Sequence, residues 1–180
     1  MVYILLGTGF EEMEALAPAD LLRRAGIPVM TVGVNGKIVY GSHNIGIEAD
    51  ITIDEMDLTD LDMIVLPGGL GGVASIRASK AAMDAVQFAW ENKKYVAAIC
   101  AAPTILAQLH ITDGKQVVCY PGFEAQMGSA LPLTDVPCIQ DGMVITGTSA
   151  GCSVPFALSL IAALKGEETA EAIRKQIVIR

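Results

Sequence analysis

Short apolar runs that recur between helix-period segments constrain this chain more than any other feature of its sequence. Val2 to Leu6, Pro28 to Val34, Met63 to Leu66 and Tyr95 to Ile99 read as strands, while Glu11 to Ala25, Lys80 to Asn92, Ala102 to Leu109 and Val154 to Leu164 read as helices. Strands apolar on both sides must be covered on both faces. The alternation therefore predicts an α/β fold, a mainly parallel sheet between two helical layers. Asn35-Gly36 is a hairpin signal joining the second strand to Lys37–Tyr40, with Ile45 to Ile47 as a further short strand. Gln116 to Cys119 continues the alternation, and Asp141-Gly142 turns Cys138–Gln140 back onto Met143–Thr146. With 180 residues, 52% of them hydrophobic, and no linker or repeat, residues 1–180 are expected to form one domain.

Charge removes several function classes. A net charge of −8 without a basic segment opposes polyphosphate binding, so no nucleic-acid partner is expected. No apolar run reaches the roughly 20 residues that span a bilayer, so no membrane partner is expected either. Met1 to Gly7 lacks a basic lead and is followed by Glu11, Glu12 and Glu14, which is unlike a secretory signal and points to a cytoplasmic address. There Cys100, Cys119, Cys138 and Cys152 stay reduced, and their spacing is not that of a zinc site. His43 and His110 have no metal-ligand spacing, so neither a metal nor another cofactor is expected.

In parallel sheets, ligands collect beyond the carboxyl ends of the strands, where Gly7–Glu14, Pro67–Gly72, Cys100–Pro103 and Cys119–Gly122 fall. Ala97-Ala98-Ile99-Cys100-Ala101-Ala102-Pro103 places a thiol between an apolar strand and a helix start made of small residues. Unpaired amides there can stabilise a thiolate and lower the thiol pKa. A buried, inert cysteine is the bland alternative. Glu14 shares a helical stripe with Ala17, Pro18, Leu21 and Ala25, which aims its carboxyl inward, and Pro18 supplies no N–H to the Glu14 carbonyl. Two adjacent anions repel, so Glu14 and Cys100 are expected to share one proton. Pro67-Gly68-Gly69-Leu70-Gly71-Gly72 lacks the Lys-Ser/Thr ending of a P-loop. It can instead aim the Gly69 amide, with that of Ala101, at an oxyanion; the alternative is a set of plain turns. Gly7-Thr8-Gly9 invites a dinucleotide reading, but Glu12 stands at the third glycine position. His110 lies too far along its segment to serve Cys100, and His43 reads as a surface or pocket-edge residue. Cys152 reads as packing before it reads as a second reactive thiol.

These residues resemble the ThiJ/PfpI family, in the subgroup of its parkinsonism-associated deglycase. Gly9-Phe10-Glu11-Glu12-Met13-Glu14, Leu21-Leu22-Arg23-Arg24-Ala25-Gly26, Val65-Leu66-Pro67-Gly68-Gly69 and the Cys100 segment carry the resemblance, which covers nearly the whole chain. It implies a flavodoxin-like three-layer sandwich, a homodimer, Cys100 as nucleophile or oxidation-sensitive thiol, Glu14 as its carboxyl partner, and Gly69 and Ala101 as backbone contributors. Gly68, Tyr120, His43 and Ser149 are the further pocket candidates. The activities it implies are glutathione-independent glyoxalase or deglycase chemistry on small carbonyls, oxidative-stress sensing, chaperone action and, in another branch, proteolysis. Departures narrow this: Tyr120 stands where subgroup members often have histidine, and Ala101 where the protease branch has it. Ser149-Ala150-Gly151 replaces a Gly-Pro-Gly-type segment, and His43 replaces a basic residue. The leading expectation is a cysteine-dependent enzyme of small reactive carbonyls; the alternative is a non-enzymatic sensor or chaperone.

Overall fold

The computed structural model describes residues 1–179. In chain order it contains β1 (Val2–Leu6), α1 (Glu12–Arg24), β2 (Val29–Gly33), β3 (Ile38–Tyr40), β4 (Gly46–Glu48), β5 (Ile51–Thr52), β6 (Met63–Leu66), α2 (Leu70–Ala78), α3 (Lys80–Glu91) and β7 (Tyr95–Ile99). The chain continues with α4 (Pro103–Gln108), β8 (Gln116–Val117), β9 (Leu131–Pro132), β10 (Cys138–Asp141), β11 (Val144–Gly147), α5 (Ser153–Lys165) and α6 (Glu167–Gln176). The main sheet has seven strands in the order β10-β11-β7-β6-β1-β2-β5. All its pairings are parallel except β10 with β11. Counted along the chain, β2, β1, β6, β7 and β11 stand in the flavodoxin-like order 2-1-3-4-5. The order reverses between β1 and β6, so the loops after these two strands part there and open a crevice.

Strand alternation sorts the core into two layers. Val2, Ile4, Leu6, Met63, Val65, Ala97 and Ile99 pack with Leu22, Phe156 and Leu160 of α1 and α5. Tyr3, Leu5, Ile64, Leu66, Val96 and Ala98 pack with Val73, Ile76, Val86 and Ile105 of α2, α3 and α4. Cys100 borders both layers, because it sits where the sheet ends and the two layers meet. No helix among the described residues is long and apolar enough to cross a membrane.

Three expectations are corrected. Asn35-Gly36 does not join β2 to the next strand as a hairpin: β3 pairs antiparallel with β4 in a separate two-stranded sheet. β2 already has β1 and β5 on its two edges, so it has no free edge to offer. Gln116–Val117 likewise leaves the main sheet and pairs with β9, because the free edge of β7 is taken by β11. The third is Leu70–Ala78, a helix where the glycines imply only a turn. Gly71 and Gly72 let its first turn lie directly on the loop after β1, since a Cβ on Gly72 would come within 2.6 Å of the Phe10 Cα. The hairpin around Asp141-Gly142 forms as the sequence indicates.

Phe156 is fully buried between α5 and the sheet. Phe156→Ala is expected to lower unfolding free energy by about 3–5 kcal/mol, read as a lower urea midpoint with the slope unchanged.

Candidate active site

Glu11 and Glu14 build the floor of the crevice from the start of α1. Glu11 is the N-cap: its Oε2 accepts the Glu14 amide at 2.9 Å. Its own amide donates to the Gly68 carbonyl at 3.0 Å, which ties α1 to the loop after β6. That fixes Glu14, whose side chain is fully buried; α1 runs without interruption through Pro18. Glu14 Oε2 accepts the Gly68 amide at 2.7 Å. Its buried Oε1 has no hydrogen-bond partner among the described residues, and the Cys100 thiol is the neighbouring group that acts on the carboxyl.

Cys100 follows β7 at a sharp elbow. Its φ of 66° is left-handed, a conformation that costs a non-glycine residue about 1–3 kcal/mol. Backbone bonds on both sides hold it there: its amide donates to the Gly147 carbonyl at 2.9 Å, and its carbonyl accepts the Tyr120 amide at 2.8 Å. Gly68 allows the acid to reach the thiol, for a Cβ at that position would stand 2.6 Å from Glu14 Oε2 and 2.7 Å from the Cys100 Cβ. Gly69 combines a φ of 82° with a similar squeeze, 2.4 Å from the Gly9 carbonyl oxygen. These glycines are required by space as well as by turn geometry.

Burial dominates the electrostatics. It pushes the Glu14 carboxyl up to about 7, against the opposing pull of the Gly68 amide and the Cys100 thiol. Burial, followed by the Glu14 charge, pushes the Cys100 thiol up to about 12. The Ala101 and Gly69 amides do pull the thiol down, as their placement in the sequence implies, but they are outweighed. The pair therefore holds at least one proton through the neutral range, in keeping with the shared proton expected from the sequence.

A cleft of about 260 Å³ opens over the thiol, lined by Glu11, Gly69, Leu70, Cys100, Ala101, Tyr120 and Phe123. Tyr120 and Phe123 meet edge to face, with ring centroids 6.1 Å apart. Of the other candidates, Gly68 lies beneath the cleft against Glu14 and Cys100, whereas His43 and Ser149 are not part of its lining. His43 sits on the turn between β3 and β4, where its amide and Nδ1 meet the two oxygens of the buried Glu12 at 2.7 and 2.8 Å. Burial alone would raise the Glu12 carboxyl, but His43 and Ser42 together bring it down to about 2. Ser149 precedes a short 3-10 turn beside a different groove, lined in part by Ala150 and Gly151. Cys152 accepts a hydrogen bond from Thr148 Oγ1, and His110 is exposed beside Asp113.

Two features escape sequence reading. Ligand atoms of Glu11, Glu12 and His43 lie within 4.8 Å of one another, a spacing that could hold a cation, although both Glu12 oxygens are already engaged. Folding of the β3–β4 hairpin onto α1 creates this cluster, and no local spacing announces it. Buried Thr104 donates to the Ala101 carbonyl at 2.6 Å and accepts from Arg77 Nη2 at 2.6 Å, pinning the elbow to α2. Only the identity of Thr104 one turn past Cys100 hints at it.

A carboxyl raised by burial is stabilising when protonated. Its contribution is fully present below its unfolded value of about 4.5 and is lost as pH rises through about 7. Between pH 5 and 8 the wild type should therefore lose stability relative to Glu14→Gln, by on the order of 3 kcal/mol at about 1.4 kcal/mol per pKa unit. Urea melts across that range check it.

The chain is similar to known proteins in sequence and in architecture. The DJ-1/PfpI family model covers residues 1–163. Protein dj-1beta of Drosophila melanogaster is 34% identical over 178 residues, 98% of this chain and 95% of its own, and its crystal structure superposes with a TM-score of 0.93. A cysteine-to-alanine mutant of a DJ-1 superfamily protein from Salmonella typhimurium, 31% identical, also gives 0.93 and covers 99% and 98% of the two chains. A protein of Pyrococcus abyssi named a deglycase is 28% identical over 142 residues, 78% of this chain and 85% of its own. On these matches and the fold that carries them, the chain belongs to the DJ-1/PfpI family.

Proposed function

We propose that the protein is a cysteine-dependent enzyme of small reactive carbonyls, with Cys100 as nucleophile and Glu14 as the group that moves protons. The observation that carries this reading is the unpartnered Oε1 of a fully buried Glu14 beside a half-buried thiol at a strained elbow. A carboxyl near 7 exchanges protons readily at neutral pH. The Pyrococcus abyssi relative is named a deglycase, which supports an enzyme reading of the site.

With methylglyoxal, the Cys100 sulfur bonds to the aldehyde carbon while the carbonyl electron pair moves onto oxygen. The thiol proton, passed through Glu14, ends on that oxygen, and the Gly69 and Ala101 amides stabilise the charge as it develops. Glu14 then carries the proton of that carbon to the neighbouring one, as the hydroxyl proton crosses to the ketone oxygen. The aldehyde carbon is thereby oxidised to a thioester and the ketone carbon reduced to a carbinol, without an external oxidant. Water adds to the thioester, the S–C bond breaks, lactate leaves and the thiol recovers its proton. No histidine is needed in this sequence of steps, which fits Tyr120 in the cleft wall.

A second reading, peroxide oxidation of Cys100 to a sulfinic acid, draws support from the Gly69 and Ala101 amides that act on the sulfur. A thiol held above the usual range slows attack on peroxide and on a carbonyl alike; the carbonyl reading is favoured because it gives the Glu14 carboxyl, near 7, a proton to carry between carbons. A homodimer belongs to the same proposal, supported by exposed Met13 and Leu16 beside Val154.

Methylglyoxal loss and lactate formation should appear together with the purified protein. Cys100→Ser should reduce turnover by about 10³ or more and Glu14→Gln by about 10²–10⁴. Unchanged turnover in Cys100→Ser would overturn the mechanism, and graded peroxide followed by mass spectrometry decides the second reading.

A further inference from the structure

The wall of the Cys100 cleft combines one acid with an apolar shelf. Glu11 reaches it from the α1 cap, Leu70 (71% exposed) from the start of α2, and Tyr120 (45% exposed) and Phe123 from the segment after β8. No Lys, Arg or His is among its lining residues. The nearby His43 meets Glu12 across 2.8 Å and lies within 4.8 Å of Glu11, so one imidazole faces two carboxylates and the cluster stays net negative. Glu11 is also held in place, because its Oε2 is the acceptor of the Glu14 amide.

The shelf has a fixed distance from the chemistry. The Tyr120 amide donates to the Cys100 carbonyl at 2.8 Å, and the Phe123 amide to the Tyr120 carbonyl at 3.0 Å. The two rings lock edge to face at an interplanar angle of 86°. An electrophile whose reacting carbon meets the sulfur must lay its next few atoms along Tyr120 and Leu70, while any negative charge it carries comes up against Glu11.

We infer that the Cys100 cleft selects neutral electrophiles bearing an apolar, preferably aromatic, substituent, and rejects anionic ones, with Glu11 setting the charge preference and Tyr120 the apolar one. This rests on Cys100 as the reacting group and names the carbonyl substrates it would take: neutral 2-oxoaldehydes with an aryl or branched alkyl group, and not 2-oxo acids. One acid in the wall of a half-open cleft discriminates on the order of tenfold, and salt screens it. Stacking of an aromatic ring contributes a comparable factor.

The test uses alkylation of Cys100, which does not depend on turnover. Iodoacetate, iodoacetamide and N-benzyliodoacetamide all react by the same step: the sulfur forms a bond to the CH₂ carbon as the C–I bond breaks, iodide leaves with the electron pair, and the thiol proton passes to solvent. Rates at Cys100 are followed by peptide mass spectrometry and divided by those of glutathione under the same conditions. Cys100 should favour iodoacetamide over iodoacetate about tenfold more than glutathione does, and N-benzyliodoacetamide over iodoacetamide about fivefold more. Glu11→Gln, whose amide oxygen can still cap α1, should collapse the first ratio and leave the second. Tyr120→Ala should collapse the second and leave the first.

Ratios equal to those of glutathione, or a charge ratio unmoved by both Glu11→Gln and 0.5 M NaCl, would overturn the inference. The salt series on the wild type decides the charge preference even if the variant misfolds. Parallel assays with phenylglyoxal, methylglyoxal and glyoxylate separate the two proposals. If none is consumed, the carbonyl-enzyme reading fails while the alkylation ratios stand. If glyoxylate is the best substrate, the enzyme reading survives and the selectivity fails.

Discussion

Everything about this site follows from a carboxyl group buried beneath a thiol. Glu14 is taken out of water by α1 and given one backbone donor, Gly68, so one of its oxygens is satisfied and the other is not. A buried oxygen without a partner is costly, and the cost falls if the carboxyl keeps a proton or shares one. The Cys100 thiol is the group placed to share it. Packing and protonation are thus one problem here, solved by one contact between the first helix and the turn after β7.

That contact demands a particular backbone. Acid and sulfur can approach only if the intervening loop has no side chain at Gly68 and can take a left-handed turn at Gly69. The sulfur itself reaches the crevice only because Cys100 accepts a left-handed conformation, held by hydrogen bonds to Gly147 and Tyr120 from two other segments. Strain at the elbow is offset by surrounding structure, among others through Thr104, which donates to the Ala101 carbonyl and accepts from Arg77. A rigid elbow keeps the sulfur at a constant position relative to the amides, the acid and the aromatic shelf.

The electrostatic outcome differs from that of a helix-activated thiolate. Amides at the elbow pull the thiol down, yet burial and a neighbouring anion push it up more strongly. A thiol that stays protonated beside an acid poised near 7 makes the two groups a proton-sharing pair and not a free thiolate. The absence of a histidine from the cleft lining is consistent with that division of labour.

The sequence by itself determined the sheet, the elbow that carries Cys100 and the inward aim of Glu14. Continuous apolar runs at β1, β6 and β7 can only be strands covered on both faces, and Glu14 on an apolar helical stripe can only point inward. These are local patterns, and local patterns survive in a string of letters. Only the tertiary structure decided that Ile38–Tyr40 leaves the main sheet, that the glycines after Gly69 continue as a helix, and that Ser149 faces a different groove while His43 pairs with Glu12. It also decided the sign of the Cys100 pKa shift. Each of these depends on which edges, surfaces and charges are already occupied by residues distant in the chain, and occupancy is a property of packing.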